Sequence, residues 1–185
     1  MAGNQSAISI CSNALILLGA DPISDFSGKD AGSVAAANLF EVTYTEVLQS
    51  YDWNFSMVQR TLNRSPESPL FDYANKFPLP ADCLRVARVS DSNYDILEHA
   101  IHSNSSSVSI AYIALTDINK APIYFTNALE YLMAAKLSIP VTGDIDKASL
   151  YSQLAEKAMR KARHLDSRQT PTKDIQSKPF IEVRN

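Results

Sequence analysis

The spacing of apolar side chains changes twice along this chain of 185 residues, and these changes constrain its fold more than any other feature. Residues 5–18 and 33–51 repeat apolar side chains every three to four positions, which is typical of amphipathic helices. Residues 55–118 instead hold short apolar runs between turns and prolines. Helical spacing returns over residues 122–167, with a break expected at Pro140 and the TGD segment of residues 142–144. The pattern predicts the order helix, helix, β-region, helix, helix.

The β-region is predicted to contain several short strands. Residues 55–62 and 83–89 combine apolar and β-branched side chains between turn-forming segments, which indicates two strands. A hairpin is predicted with arms at residues 94–101 and 108–114 and a turn at residues 103–106. Apolar and small polar side chains alternate in the second arm. This alternation predicts a sheet with one buried face.

The predicted fold class is α+β. Each predicted helix has one apolar stripe, which must be buried against a partner. The simplest arrangement that buries all four stripes is a four-helix bundle with an antiparallel β-region inserted between helices 2 and 3. Residues 1–54 and 119–167 then form the helical bundle, residues 55–118 form the β-rich insertion, and residues 168–185 form an extended C-terminal arm. The first and last helices are expected to be neighbours in space.

The only tryptophan of the chain, Trp53, stands where the helical spacing ends, between Tyr51 and Phe55. Aromatic side chains beside an acid and an amide, here Asp52 and Asn54, are also found in sugar-binding sites and active sites. Their position at the change of period favours a structural joint formed by Tyr51, Trp53 and Phe55. We expect Trp53 to be buried there and to set the angle of the β-region on the helices. Asp52 and Asn54 are expected to satisfy backbone groups at the end of the second helix.

The sequence lacks the common catalytic and cofactor motifs. It contains no Gly-x-Gly-x-x-Gly, no Gly-Lys-Ser/Thr phosphate loop and no Gly-x-Ser-x-Gly. His99 and His102 are three positions apart on a predicted strand, so they point to opposite faces and cannot share a metal ion. We expect both to be partly exposed, and we expect Cys11 and Cys83 to be buried thiols rather than a disulfide. The chain is therefore predicted to be no enzyme and to hold no cofactor or metal.

Charge is distributed unevenly along the chain. Residues 1–99 carry six Lys and Arg against twelve Asp and Glu, whereas residues 156–185 carry eight Lys and Arg against four Asp and Glu. Helical spacing places five basic residues of the last helix on one face, with Arg163 beside them: Lys157, Arg160, Lys161, His164 and Arg168. This face is interpreted as a surface for an acidic protein or for nucleic acid, and the alternative is an ordinary solvated face. Aromatic residues do not interleave with it, which argues against stacking on single strands.

Six segments occur in an order that resembles a known protein family. They are LLGADPI at 17–23, YDWNFS at 51–56, LPADCLRVARV at 79–89, AYIALTD at 111–117, LSIPVTGD at 137–144 and ARHLDSRQTPTKDI at 162–175. The ordered series is similar to the tail tubular protein A family of short-tailed bacteriophages and covers nearly the whole chain. Members of that family are head-to-tail adaptors, and the polar SNSSS turn at residues 103–107 departs from their pattern.

The resemblance implies a structural virion protein with no catalytic residues. Family members form a ring, usually of twelve copies, between the portal and the tail nozzle, and genomic double-stranded DNA passes through it without sequence-specific binding. The implied role of the ring is that of a connector between head and tail and a gatekeeper for DNA ejection. The implied location is the head-tail junction of the virion, with the host cytoplasm during assembly and no membrane association. The β-region is expected to face the nozzle, and the bundle to supply contacts between copies.

The C-terminal part of the chain is expected to bind the portal. The last predicted helix and the residues after it contain the predicted portal-binding residues: Lys157, Arg160, Lys161, Arg163, Arg168, Lys173, Lys178, Phe180, Ile181 and Arg184. Three alternatives remain open at this point. They are a head-completion connector of a long-tailed phage, a DNA-binding regulator that uses the basic last helix, and a hydrolase or sugar-binding module that uses Trp53.

Overall fold

The computed structural model describes residues 6–169, and within them it shows an α+β fold with four helices and two small antiparallel sheets. The α+β prediction is confirmed. The helices are α1 (Ala7–Leu18), α2 (Ala31–Gln49), α3 (Ile123–Thr142) and α4 (Ile145–Ser167). The strands are β1 (Met57–Leu62), β2 (Asn75–Pro78), β3 (Cys83–Val89), β4 (Tyr94–Leu97), β5 (Ala100–Ser103) and β6 (Val108–Ala114). Short 3-10 turns cover Asn54–Ser56 and Ile118–Lys120.

Side-chain caps decide where the first two helices begin. The Ser6 hydroxyl accepts a hydrogen bond from the Ser9 N–H at 3.2 Å, and α1 ends at Gly19, whose φ of +77° suits a residue without Cβ. The Asp30 carboxylate accepts from the Ser33 N–H at 2.8 Å. Because Asp30 caps α2, this helix begins at Ala31, two residues earlier than the spacing predicts, and it ends before Tyr51.

The break was predicted at Pro140 and the TGD segment at residues 142–144; α3 does end at Thr142, but it continues through Pro140. Pro140 lies in the last turn, where its missing N–H removes only one backbone hydrogen bond. The Gly143 N–H donates to the Ile139 carbonyl at 3.0 Å, and the Thr142 hydroxyl donates to the Ser138 carbonyl at 2.7 Å. Gly143 itself has a φ of +66° and ends the helix.

Helix α3 is the centre of the helical part, because it packs against α1, α2 and α4. The shared core contains Leu15 of α1, Phe40 of α2, Leu129 of α3 and Ala162 of α4. Helices α1 and α4 also meet where the Lys147 ammonium donates to the Leu18 carbonyl at 2.9 Å and the Tyr151 hydroxyl donates to the Leu17 carbonyl. Because α4 packs much more extensively on α3 than on α1, its main partner is α3.

The two sheets share a second core. One sheet has the strand order β1-β6-β3, and the other has the order β2-β5-β4. Ile110 and Tyr112 of β6 pack with Phe77 of β2 and Ile101 of β5 between the sheets. The other side of β6 was predicted to be exposed, but Ile113 there belongs to the helical core. The prediction of one buried face is wrong for this part of β6, because helices cover its second side.

The predicted hairpin of residues 94–101 with residues 108–114 is also wrong. Strand β4 pairs with β5 through a two-residue turn at Glu98 and His99, whereas β6 joins β1 and β3 in the other sheet. Both turn residues have positive φ, +50° for Glu98 and +57° for His99. Such turns usually contain Asn or Gly, so Glu and His give no sequence signal for a hairpin at this position.

Neither thiol of the chain is expected to react with a disulfide reagent at pH 8 while the protein is folded. Cys11 and Cys83 are both buried and free. Burial raises the pKa of Cys11 to about 12, and burial together with the charge of Asp82 raises the pKa of Cys83. Both groups therefore stay protonated, and a thiol reacts only as thiolate. Titration with Ellman's reagent should find both cysteines in urea and neither within minutes in native buffer, and rapid native reaction would contradict this.

Candidate partner-binding surface

Helix α4 presents a row of exposed basic side chains. The Asp144 carboxylate accepts from the Lys147 N–H at 3.0 Å and thereby starts the helix. Ala155 and Ala162 are buried, and Ala162 belongs to the helical core. Five basic residues spaced three or four positions apart lie exposed on the other side: Lys157, Arg160, Lys161, His164 and Arg168. We call these five residues the basic face.

The charge of the basic face is not compensated by ion pairs. Within residues 6–169 the ion pairs join Lys76 to Glu98, Arg85 to Asp52 and Lys136 to Glu46, so none of them involves α4. Glu156 is the acidic residue beside the basic face, and it is exposed. Four permanent cations along less than four helical turns are therefore available to an acidic partner.

Arg163, which was assigned to the same surface, lies elsewhere. Its guanidinium is 5.7 Å from the centroid of the Tyr51 ring, and its Nη2 donates to the Ser50 hydroxyl at 3.4 Å. Its Nε is buried and has no hydrogen-bond partner within the described part of the chain. The structure thus places Arg163 against the joint rather than on the basic face. The remaining predicted portal-binding residues lie outside residues 6–169: Lys173, Lys178, Phe180, Ile181 and Arg184.

Trp53 is fully buried, as predicted. Its indole N–H donates to the Val47 carbonyl at 2.9 Å, near the end of α2. The ring meets Tyr51 edge-on at 5.0 Å and Phe125 at 4.9 Å between centroids, and Phe55 packs on Phe125 at 4.9 Å. Because Trp53 is enclosed on all sides, its ring offers no open surface on which a sugar could stack.

Asp166 is a buried carboxylate that the sequence analysis missed. Its side chain accepts hydrogen bonds from the Asn54 backbone N–H at 2.9 Å, the Asn54 side-chain amide at 3.0 Å and the Tyr124 hydroxyl at 2.7 Å. The Asn54 amide also donates to the Asp166 carbonyl at 2.7 Å. Three donors offset the cost of burying a charge. Burial, and then the hydrogen bond to Asp166, raise the pKa of Tyr124.

A signal for Asp166 is present in the sequence. Asp166 follows Ala155 and Ala162 at helical spacing, so it occupies the apolar side of α4, where an acid is unexpected unless it has partners. Asn54 was expected to serve the end of α2, but it binds the end of α4 instead. Asp52 pairs with Arg85 of β3, whose Nε donates to the Gln49 carbonyl at 2.9 Å. This ion pair is exposed, so it contributes little to stability.

Two further observations bear on the kind of site. Within residues 6–169, no group of three or more His, Cys, Asp or Glu side chains is arranged to hold a metal ion. Of the helices in that range, none is both long and apolar enough to cross a membrane.

No protein-family model matches the chain, and no curated protein is significantly similar to it. A function therefore has to be inferred from the residues and their geometry.

Proposed function

We propose that this chain is a non-enzymatic head-to-tail adaptor of a short-tailed bacteriophage, which links the portal to the tail nozzle and forms part of the DNA channel. The observation that carries the proposal is the basic face on the last helix, which is exposed and forms no ion pair with any residue in the range 6–169. The ordered series of segments that resembles the tail tubular protein A family supports the same function. The nozzle and further copies of the chain are the other partners in this proposal.

In this proposal each part of the chain has a mechanical role. The four helices form one bundle that packs against neighbouring copies in a ring. The strands between α2 and α3 form an inserted β-region that faces the nozzle. The basic face and residues 168–185 bind the portal. The excess of acidic residues in positions 1–99 suits a channel wall, since like charge lets a duplex slide where attraction would hold it.

Reversing the charge of the basic face is expected to weaken portal binding at least about tenfold, because opposite charges across an interface steer and hold the partner. The variant is Lys157→Glu with Arg160→Glu and Lys161→Glu. All three side chains are exposed and form no ion pair within the described part of the chain, so the unfolding midpoint in urea should change little. Cosedimentation with rings of the portal protein encoded in the same genome measures the effect.

A matched control changes the net charge by the same amount elsewhere. Lys29, Arg64 and Lys120 are exposed residues of loops and turns, and their joint replacement by Glu should leave portal binding nearly unchanged. Equal losses in both variants would mean that overall charge matters rather than the basic face. Unchanged binding in the basic-face variant would refute the assignment of this surface.

The basic face also favours a second function, which is duplex DNA binding by a regulator. This function predicts tight binding of the isolated protein to a short duplex, with an affinity that falls steeply as salt is raised. The adaptor predicts weak binding or none. Negative-stain microscopy of the protein with and without portal rings completes the distinction, since a ring that forms on the portal supports the adaptor and a compact monomer indifferent to it supports the regulator.

A further inference from the structure

A groove of about 690 Å³ lies between the loop of residues 67–73 and the sheet β2-β5-β4. A row of three residues crosses the sheet beside this loop, because Lys76 pairs with His102 and His102 pairs with Asp95. Paired residues on adjacent strands point to the same face. Phe77 and Ile101 alternate with them and point into the core between the two sheets. The row therefore belongs to the outer face of this sheet.

His102 is a buried residue of this groove whose ring nitrogen Nε2 lacks a hydrogen-bond partner among the described residues. It lines the groove, yet it is only 8% exposed, so the expectation of a partly exposed side chain was wrong. Its Nε2 is buried and has no hydrogen-bond partner within residues 6–169. A buried polar atom left without a partner costs about 1–3 kcal/mol, and such an atom calls for a specific explanation. A ligand in the groove that donates a hydrogen bond to Nε2 would supply one.

The charges of the groove select the ligand. Among the described residues, four carboxylates line the groove: Glu67, Asp72, Asp95 and Glu98. The ammonium of Lys76 also lines it, but this group already lies 3.1 Å from the carboxylate of Glu98. The surplus of negative charge favours a cation. Neutral imidazole nitrogen accepts a hydrogen bond from an ammonium or guanidinium group, both of which are donors only.

The rim of the groove is apolar. Leu70 is 89% exposed and Phe71 is 78% exposed, and Leu97 of β4 is exposed on the opposite side. Exposed apolar side chains gathered beside a polar groove are typical of an interaction site. Strand β4 is also an edge strand, and an edge offers backbone groups to an extended peptide. Both features favour a peptide over a small free cation.

We propose that this groove binds a basic, partly apolar peptide segment of a partner protein. One Lys or Arg side chain of the segment enters the groove, donates to His102 Nε2 and is attracted by the carboxylate of Asp95. Apolar side chains of the segment pack on Leu70 and Phe71. This site lies on the β-strands rather than on α4, and it does not depend on the adaptor function.

The test uses the full chain and a synthetic peptide that alternates Arg with Leu, with a matched peptide in which each Arg is replaced by Glu. The chain has three histidines, so the ring resonances of His102 can be followed by NMR. The basic peptide should shift the His102 resonances in a saturable manner, and the acidic peptide should not. Spermidine should shift them much less than the basic peptide, since it lacks apolar side chains and a backbone.

Two surface variants test the groove without altering the buried His102 side chain. Asp95→Asn and Phe71→Ala change exposed residues of the groove, and each should lower the affinity for the basic peptide at least threefold. Asp146→Asn, an equal change of charge in the first turn of α4, should leave the affinity unchanged. The proposal would be overturned by an unmoved His102 resonance at millimolar peptide, by equal shifts with the acidic peptide or spermidine, or by unaltered affinity in both groove variants.

Discussion

Replacing Asp166 by alanine is expected to lower the free energy of unfolding by about 3 kcal/mol. The carboxylate is fully buried and accepts three hydrogen bonds, two from Asn54 and one from Tyr124. Alanine removes the acceptor for these part-buried donors, so the cost of their desolvation is no longer offset. Urea denaturation followed by far-UV circular dichroism measures the loss as a lower midpoint at unchanged slope.

Two variants show whether the hydrogen bonds themselves cause this loss. Glu156→Ala removes an exposed carboxylate from the same helix, and it should change stability by no more than about 0.5 kcal/mol. Asp166→Asn keeps one acceptor oxygen but turns an amide N–H₂ toward the donors, so its loss should fall between those of the other two. If Asp166→Ala proved as stable as Glu156→Ala, the Asp166 contacts would not hold the end of α4 to the joint.

Replacing Trp53 by alanine is expected to cost about 3–5 kcal/mol. Trp53 is a fully buried side chain that packs on Tyr51 and Phe125 and donates to the Val47 carbonyl. Alanine leaves a cavity between α2, α3 and the start of β1, and it abandons the Val47 contact. Thermal and urea unfolding should be followed by circular dichroism, because the variant lacks the only tryptophan of the chain.

Trp53→Phe separates packing from hydrogen bonding. Phenylalanine keeps most of the aromatic contact but cannot donate to Val47, so we expect a loss of about 1–2 kcal/mol. Val42→Ala, which shortens an exposed side chain of α2, should cost under about 0.5 kcal/mol. A loss in Trp53→Ala no larger than that in Val42→Ala would contradict the assignment of Trp53 as the centre of the joint.

The joint and the basic face are physically connected. Asp166 and Arg163 lie in the last turns of α4, where they contact Asn54 and Tyr51. Asn54 begins the short turn that leads directly into β1. The end of the helix that carries the proposed partner-binding surface is therefore held by the segment that starts the β-region.

Sequence reasoning succeeded where the evidence was local. The spacing of apolar residues located α1 and α4 to within about two residues, and strand β3 has the predicted bounds, Cys83–Val89. The Asp144 carboxylate caps α4 by accepting from the Lys147 N–H three positions along the chain. Such features depend on side chains within one or two turns of each other, so the amino-acid order alone encodes them.

Sequence reasoning failed where the answer depends on distant parts of the chain. The turn at Glu98 and His99 contains neither of the usual turn residues Asn and Gly, so the surrounding strands must hold both residues at positive φ. Ile113 alternates like an exposed strand residue but is buried because helices cover that face of β6. His102 was expected at the surface and is buried beside the loop of residues 67–73.

The sequence by itself determined the helices, most strands, the α+β class and the row of basic side chains on α4, because hydrophobic spacing and capping act over a few residues. Only the tertiary structure decided which groups meet. Asn54 and Asp166 are 112 positions apart, and Tyr124 joins them from a third element. No local pattern can specify such a meeting, because it depends on how all four helices pack and on which buried donors then need an acceptor.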